Sequence, residues 1–165
     1  MSRVVTAAVA AVLLCGLAAC GPDSAEQPAP QTTQGADMSS PEDYAAALFD
    51  GTNGARTAEG QPALAWSDCA QDQGAIRAQA LRDAGEELVH APLGPVIEAC
   101  PPASTAGENL SRASLGPDAV VDAWMQSPGH RENIVTPDFT ELGIACVVSG
   151  EPGDEQMLCA QIFLG

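Results

Sequence analysis

The chain has no lysine. Its six basic residues are all arginine and stand against 22 acidic ones, giving a formal net charge of −16 over 165 residues. So little positive charge argues against nucleic acid, and against docking on anionic lipid by charge alone. An acidic balance of this kind fits a solvated surface. The apolar stretch from Val4 to Leu14 is too short to span a bilayer, which takes roughly 20 residues. There is no internal repeat, Gly-rich phosphate loop, Gly-x-Ser-x-Gly elbow or His-Glu-x-x-His pair. No Cys-x-x-Cys spacing occurs either, which makes a cysteine-based metal site a poor reading of the cysteines.

What is present begins with an address. Arg3 is a minimal positive region, and 4–14 is the apolar core of a signal segment. Leu17-Ala18-Ala19-Cys20 has the form of a bacterial lipobox, in which cleavage precedes a cysteine that becomes acylated. Residues 1–19 are thus expected to be a lipoprotein signal peptide and Cys20 the lipidated mature start. This implies anchoring on the outer face of the cytoplasmic membrane, in the cell envelope. Residues 20–40, rich in Pro, Gln and Thr, read as the anchor and a linker. Its coil dimension of about 5–6 Å × √n places the domain on the order of 25 Å from the membrane. Residues 41–165 are the one globular domain, long enough to bury a core.

Within that domain, Ser40-Pro41-Glu42-Asp43 starts a helix, with Tyr44, Leu48, Phe49 and Thr52 along one side. Ser67 caps a second helix running to about Ala84, and Gly85 ends it. The apolar face expected for it is Ile76, Ala80, Leu81 and Ala84. Residues 91–106 hold four prolines and read as a loop. Gly116-Pro117-Asp118 opens a further helix, with Val120, Val121, Trp124 and Met125 on its apolar face. Ser127-Pro128 closes it, because a residue before proline leaves the helical region. Pro128 then begins a short helix with Ser127 as N-cap, placing His130 in its first turn, where the positive dipole end favours neutral imidazole. Residues 140–148 and 156–164 read as two strands joined by a Gly/Pro/Asp turn.

Cys15 leaves with the signal and Cys20 takes lipid, so four cysteines remain, which three pairings can join. Cys146 and Cys159 lie on the two strands of one hairpin. Cys69 starts the second helix and Cys100 lies in the long loop. The expected bonds are Cys146–Cys159 and Cys69–Cys100, each contributing about 3–4 kcal/mol on the chain-entropy account.

The run Trp124-x-x-Ser127-Pro128-Gly129-His130-Arg131-x-Asn133-Ile134, followed by Phe139 and Leu142-Gly143-Ile144, resembles the bacterial branch of the CAP superfamily. That superfamily comprises cysteine-rich secretory proteins, antigen 5 and plant pathogenesis-related proteins; its module is also called the SCP domain. Asn53-x-x-Arg56, Leu64-x-Trp66, Gly107-Glu108-Asn109 and Gln161-x-Phe163 are similar to further family segments, in order, over nearly the whole domain. For Asn53, Arg56, Leu64 and Trp66 a packing role is expected. The resemblance implies an α+β fold, an α-β-α sandwich with a mixed, mostly antiparallel sheet between helices.

The resemblance also implies a cleft built from two histidines and two acids. The matching positions are His90, Glu108 and His130; the fourth, three residues after Trp124, is Ser127 here, which removes a carboxylate. Two imidazoles and one carboxylate are sufficient ligands for zinc or another divalent metal at His90 and His130. A hydrolase needs a separate base as well, and the motif supplies none if Glu108 binds metal. Glu108 also has a purely structural reading, hydrogen-bonding beside Asn109. The function expected is a non-enzymatic, lipid-anchored envelope module that binds a lipid or envelope protein; the alternative is a metal-dependent, peptidase-like hydrolase using His90, Glu108 and His130.

Overall fold

The computed structural model describes residues 40–85 and 87–165. The expected signal peptide, the expected lipidation site Cys20 and the expected linker up to residue 39 lie outside the described residues. No described helix is long and apolar enough to cross a membrane.

The element order is α1 (Pro41–Ala58), β1 (Ala65–Trp66), α2 (Asp68–Ala84), α3 (Gly94–Ala99), β2 (Ala106–Ala113), α4 (Pro117–Gln126), α5 (Pro128–Val135), β3 (Glu141–Ser149) and β4 (Gln156–Leu164). The strands form one sheet in the order β1-β3-β4-β2; β1 runs parallel to β3, and the other pairings are antiparallel. The sheet is therefore mixed and mostly antiparallel, as expected, and both β1 and β2 are edges.

Alternation along β4 explains the three layers. Met157, Cys159 and Phe163 belong to a core shared with Tyr44 and Leu48 of α1, Val120, Val121 and Trp124 of α4, and Ile134 of α5. The intervening Leu158 and Ala160 pack with Ala78 and Leu81 of α2, and Ile162 and Leu164 with Ala70. A strand with period 2 thus buries one face under α1, α4 and α5 and the other under α2.

The cap signals hold at the first two helices. The Ser40 hydroxyl accepts from the Asp43 N–H at 3.1 Å, and that of Ser67 from the Ala70 N–H at 3.4 Å. Gly85 follows α2 with φ 104°, a conformation that side chains resist.

The face of α2 differs from the expected one. Ile76 is 63% exposed, Ala80 and Ala84 are also exposed, and only Leu81 of the expected four is buried. The buried stripe is Ala70, Gly74, Ala78 and Leu81. It consists of small residues because the helix lies close on the sheet. A Cβ on Gly74 would stand 3.0 Å from the Ala160 carbonyl oxygen, and one on Gly143 would overlap the Ala70–Gln71 backbone. Size, not hydrophobicity, selects that face. The loop expected at 91–106 contains α3, a single turn and a half with no buried residue. Residues 106–113, in which no strand is expected from the sequence, form β2.

Both expected disulfides are present. Cys146 and Cys159 are register partners on β3 and β4, and Cys69–Cys100 ties the start of α2 to the end of α3. The packing roles also stand. Asn53 brackets the Leu64 backbone, accepting its N–H at 2.8 Å and donating to its carbonyl at 3.1 Å. Arg56 is fully buried and donates to the carbonyls of Pro62, Ile134 and Thr136, and to that of Phe139 at 3.5 Å. Its charge thereby meets the negative end of α5, while burial pulls its pKa down. Trp66 stands edge-on to Phe49 at 5.1 Å and is 39% exposed.

Candidate functional site

The four sequence-predicted cleft residues come together. His90 lies in the segment after α2, Glu108 on β2, Ser127 between α4 and α5, and His130 in the first turn of α5. With Leu93 and Asn133 they line one cleft of about 380 Å³.

The cleft sits at the free edge of β2. Carbonyls two residues apart on a strand point the same way, and those of Glu108 and Leu110 point away from β4. Both are taken by side chains: the Asn133 amide donates to Glu108 at 3.0 Å, and the Trp124 indole N–H donates to Leu110 at 3.1 Å. The helix pair α4–α5 is thereby fastened to the sheet edge, and His130 is fixed in place. A second link runs inward. Asn109 donates to the His130 carbonyl at 3.2 Å and to Gln161 Oε1 at 2.9 Å, and Gln161 donates to the Thr52 hydroxyl at 2.8 Å. Thr52, Asn109 and Gln161 are wholly buried, so the network joins α1, the sheet and α5 through satisfied polar groups.

Glu108 points to the α2 face, like its strand neighbour Leu110. Its side chain is 3% exposed, and both oxygens are engaged: Oε2 accepts from Arg77 Nε at 2.9 Å, and Oε1 meets His90 Nδ1 at 2.7 Å. The latter contact places the His90 proton on Nδ1 and leaves Nε2 as the free nitrogen. His90 itself is 57% exposed, held over the cleft by this bond. His130 is more enclosed, and burial, followed by the charge of His90, pulls its pKa below the ordinary histidine value.

Ser127 occupies the N-cap position of α5, yet its side chain makes no cap hydrogen bond. The side-chain cap expected of Ser127 is therefore absent; its carbonyl accepts the ordinary first intrahelical bond, from the Arg131 N–H at 2.8 Å. Its hydroxyl is bonded to neither histidine among the described residues.

These facts bear on metal chemistry. Glu108, the one carboxylate among the residues lining the cleft, has both oxygens committed, one to a guanidinium. No group of three or more His, Cys, Asp or Glu stands ready to hold an ion among the described residues. The donor set offers two imidazoles and no third protein ligand, which does not fit the three-ligand catalytic zinc pattern.

Sequence reasoning missed two residues. Arg77 gave no motif signal; its one hint is an arginine next to Ala78 on the helix face that meets the sheet. Asn133 lies within the recognised run, but its role needs the third dimension, since it bonds the Glu108 carbonyl and Asn109 Oδ1 at 2.9 Å.

Comparison with known proteins agrees with this arrangement. Residues 49–163 match the family model "CAP: Cysteine-rich secretory protein family". The uncharacterized protein YkwD of Bacillus subtilis (strain 168) is 46% identical over 54 residues, which is 33% of this chain and 21% of that protein. The match thus spans about a fifth of that relative's length. An SCP-domain extracellular protein from Bacillus anthracis str. Ames has TM-score 0.60 and 26% identity, covering 74% of this chain and 40% of that one. A cysteine-rich secretory protein from Staphylococcus aureus subsp. aureus Mu50 has TM-score 0.63 and 17% identity, covering 77% and 40%. An outer surface protein of Borrelia burgdorferi has TM-score 0.58 and 17% identity, covering 71% and 88%. With its model matched from 49 to 163, and with the Trp124–Ile134 run building the sheet-edge cleft, this chain belongs to the CAP, or cysteine-rich secretory protein, family.

Proposed function

We propose that this chain is a non-enzymatic binding module of the bacterial cell envelope, tethered by lipid at Cys20, whose ligand enters the cleft of His90, Glu108, Ser127 and His130. The observation that carries this reading is the commitment of Glu108. A general base must be free to take a proton from a substrate or water. Glu108 is instead clamped between Arg77 and His90, and Ser127 stands where a second carboxylate is expected. What remains is a rigid pocket: a buried polar network below, a disulfide at the end of the loop that carries His90, and a sheet edge sealed by α4–α5. The envelope address draws support from the lipobox and from relatives described as extracellular or outer-surface proteins. A lipid or an envelope protein remains the proposed partner.

The experiment is to purify the mature protein from its membrane, identify co-purifying small molecules and proteins, and separately assay ester and peptide hydrolysis with and without zinc. A bound ligand and no turnover are expected. Turnover abolished by Glu108→Gln or His130→Ala, with circular dichroism unchanged, would establish the hydrolase instead. Cys20→Ala is expected to move the protein from the membrane fraction to the soluble one; a variant still fully membrane-bound after signal cleavage overturns the anchor.

A further inference from the structure

The sheet has two outer borders, and only one of them is sealed. Side chains of α4 and α5 occupy the β2 edge, but on the far side β1 pairs with just Glu141 and Leu142 of β3. The Leu142 carbonyl accepts from the Ser67 N–H at 3.0 Å, so it points away from β4. Main-chain groups two residues apart on a strand point the same way, which turns those of Ile144, Cys146 and Val148 outward as well. Among the described residues, no hydrogen bond reaches them from that side. Ile144 and Cys146 are buried, and enclosed main-chain polar groups require partners. The usual guards of an exposed edge, a charge or a proline, are missing from residues 143–149. A groove of about 270 Å³ meets this edge between the start of α1 and the first turns of α2. Each helix brings to it a small residue, Ala45 or Ala75, and an exposed carboxylate, Glu42 or Asp72. Neither carboxylate takes part in an ion pair among the described residues.

We propose that the open β3 edge is a docking site for an extended basic peptide of a partner protein, which adds a strand beside residues 144–148. This site is separate from the cleft and does not depend on how the cleft is read. The outward main-chain groups of β3 can pair with any strand, whatever its sequence. Side chains and charge narrow the choice. Successive side chains of an added strand point to opposite faces, one toward α1 and the next toward α2. Each meets an alanine within the groove and a carboxylate at its rim. That suits the hydrocarbon stem and cationic end of Lys or Arg, and two adjacent basic residues satisfy both walls. The net charge of −16 also attracts such a peptide from a distance. A second copy of this chain fits badly. Its own β3 edge is flanked by α1 and α2, and edge-to-edge pairing would set the Glu42 and Asp72 rims of both copies against each other. Nor are any two of the chain's arginines adjacent.

The test is fluorescence anisotropy on the full chain with a labelled peptide, Thr-Val-Lys-Arg-Val-Thr, blocked at both ends and built from strand-forming residues around the basic pair. Saturable 1:1 binding is expected, about tenfold tighter than for Thr-Val-Glu-Glu-Val-Thr. Methylating backbone nitrogens at alternate residues separates pairing from charge. One alternate set faces β3 and should weaken binding about tenfold; the other faces away and should be tolerated. Hydrogen exchange at the Ile144, Cys146 and Val148 amides should slow on binding. Ala75→Trp, which fills the groove from an exposed position, should weaken binding about tenfold, and Glu42→Gln with Asp72→Asn several-fold. Thermal melts check the fold of each variant. Equal effects of the two methylated sets, or indifference to Ala75→Trp, overturn strand addition. Equal binding of the acidic peptide overturns the charge argument, and no binding overturns the site. Sedimentation showing a dimer that Ala75→Trp dissolves would make a second copy the occupant and overturn the proposal. Failure here leaves the cleft reading standing; turnover lost on Glu108→Gln would remove that reading and leave this one.

Discussion

Trp124 and Asn133, on consecutive helices, donate to carbonyls two residues apart on the same strand, Leu110 at 3.1 Å and Glu108 at 3.0 Å. A free sheet edge presents a row of such carbonyls and is a template for unwanted strand pairing. Here the two donors occupy it, and the eight residues between them form the Ser-Pro-Gly-His turn that carries His130. The run that identifies the family is, physically, an edge seal that also builds one wall of the cleft.

Removing one donor leaves a shielded carbonyl without its partner. Trp124→Phe keeps one six-membered ring but deletes the indole N–H and the rest of the five-membered ring, so a small cavity adds to the lost bond. We expect a loss of about 1–3 kcal/mol, read as a lower urea midpoint with an unchanged m-value. Asn133→Ala should cost more, because its amide also bonds Asn109. A midpoint shift smaller for Asn133→Ala than for Trp124→Phe would contradict the seal.

Much of this arrangement was legible beforehand, for identifiable reasons. Helix starts at Ser40 and Ser67 are written in cap chemistry, which is local. The hairpin and its disulfide follow from two strand patterns flanking one turn. The cleft residues were named by motif, and the fold brings all four together. The failures are equally physical. Strand β2 has a Gly-Glu-Asn-Leu-Ser-Arg sequence without apolar alternation, because one of its faces carries Asn109, in a buried polar network, and the other carries Glu108 and Arg112, which bond α2. The contact face of α2 differs from the expected one because close helix–sheet approach selects Gly and Ala, which carry almost no hydrophobic signal, while the exposed Ile76 carries a strong one. Arg77 carries no motif signal, because its meaning lies in a partner 31 positions away.

Arg56 is a second site of high cost. Its guanidinium is wholly buried and satisfies carbonyls around the end of α5 and the turn after it. Arg56→Met removes the donors and leaves the acceptors enclosed, so a loss of roughly 3 kcal/mol or more is expected. Arg56→Lys should recover little, since a single ammonium cannot span the fork that Arg presents. Thermal unfolding of the three proteins checks this; a Lys variant within a degree or two of wild type would refute it.

His130 gives the protein an acid-side weakness. Its folded pKa lies below the ordinary 6.5, through burial first and the His90 charge second. The unfolded chain then binds a proton that the folded chain resists, so the contribution is fully present above about pH 6.5 and declines as pH falls toward the lowered folded value. His130→Gln should flatten that part of the stability curve relative to wild type. Urea titrations between pH 5 and 7.5 decide it, and parallel curves for the two proteins would exclude the effect.

The last expectation concerns which nitrogen of His90 faces the cleft. Glu108 Oε1 lies 2.7 Å from Nδ1, and Arg77 holds the other carboxylate oxygen so that the group cannot rotate away. The proton should therefore sit on Nδ1, whereas an unconstrained imidazole has no such partner to select it. Nitrogen-15 shifts of His90 at pH 8 should show a protonated Nδ1 and a bare Nε2. Glu108→Ala should abolish that preference, and Arg77→Ala should weaken it by freeing the carboxylate to turn. If Glu108→Ala leaves the nitrogen shifts unchanged, Glu108 has a structural role alone and the Arg77–Glu108–His90 chain does not set the His90 tautomer.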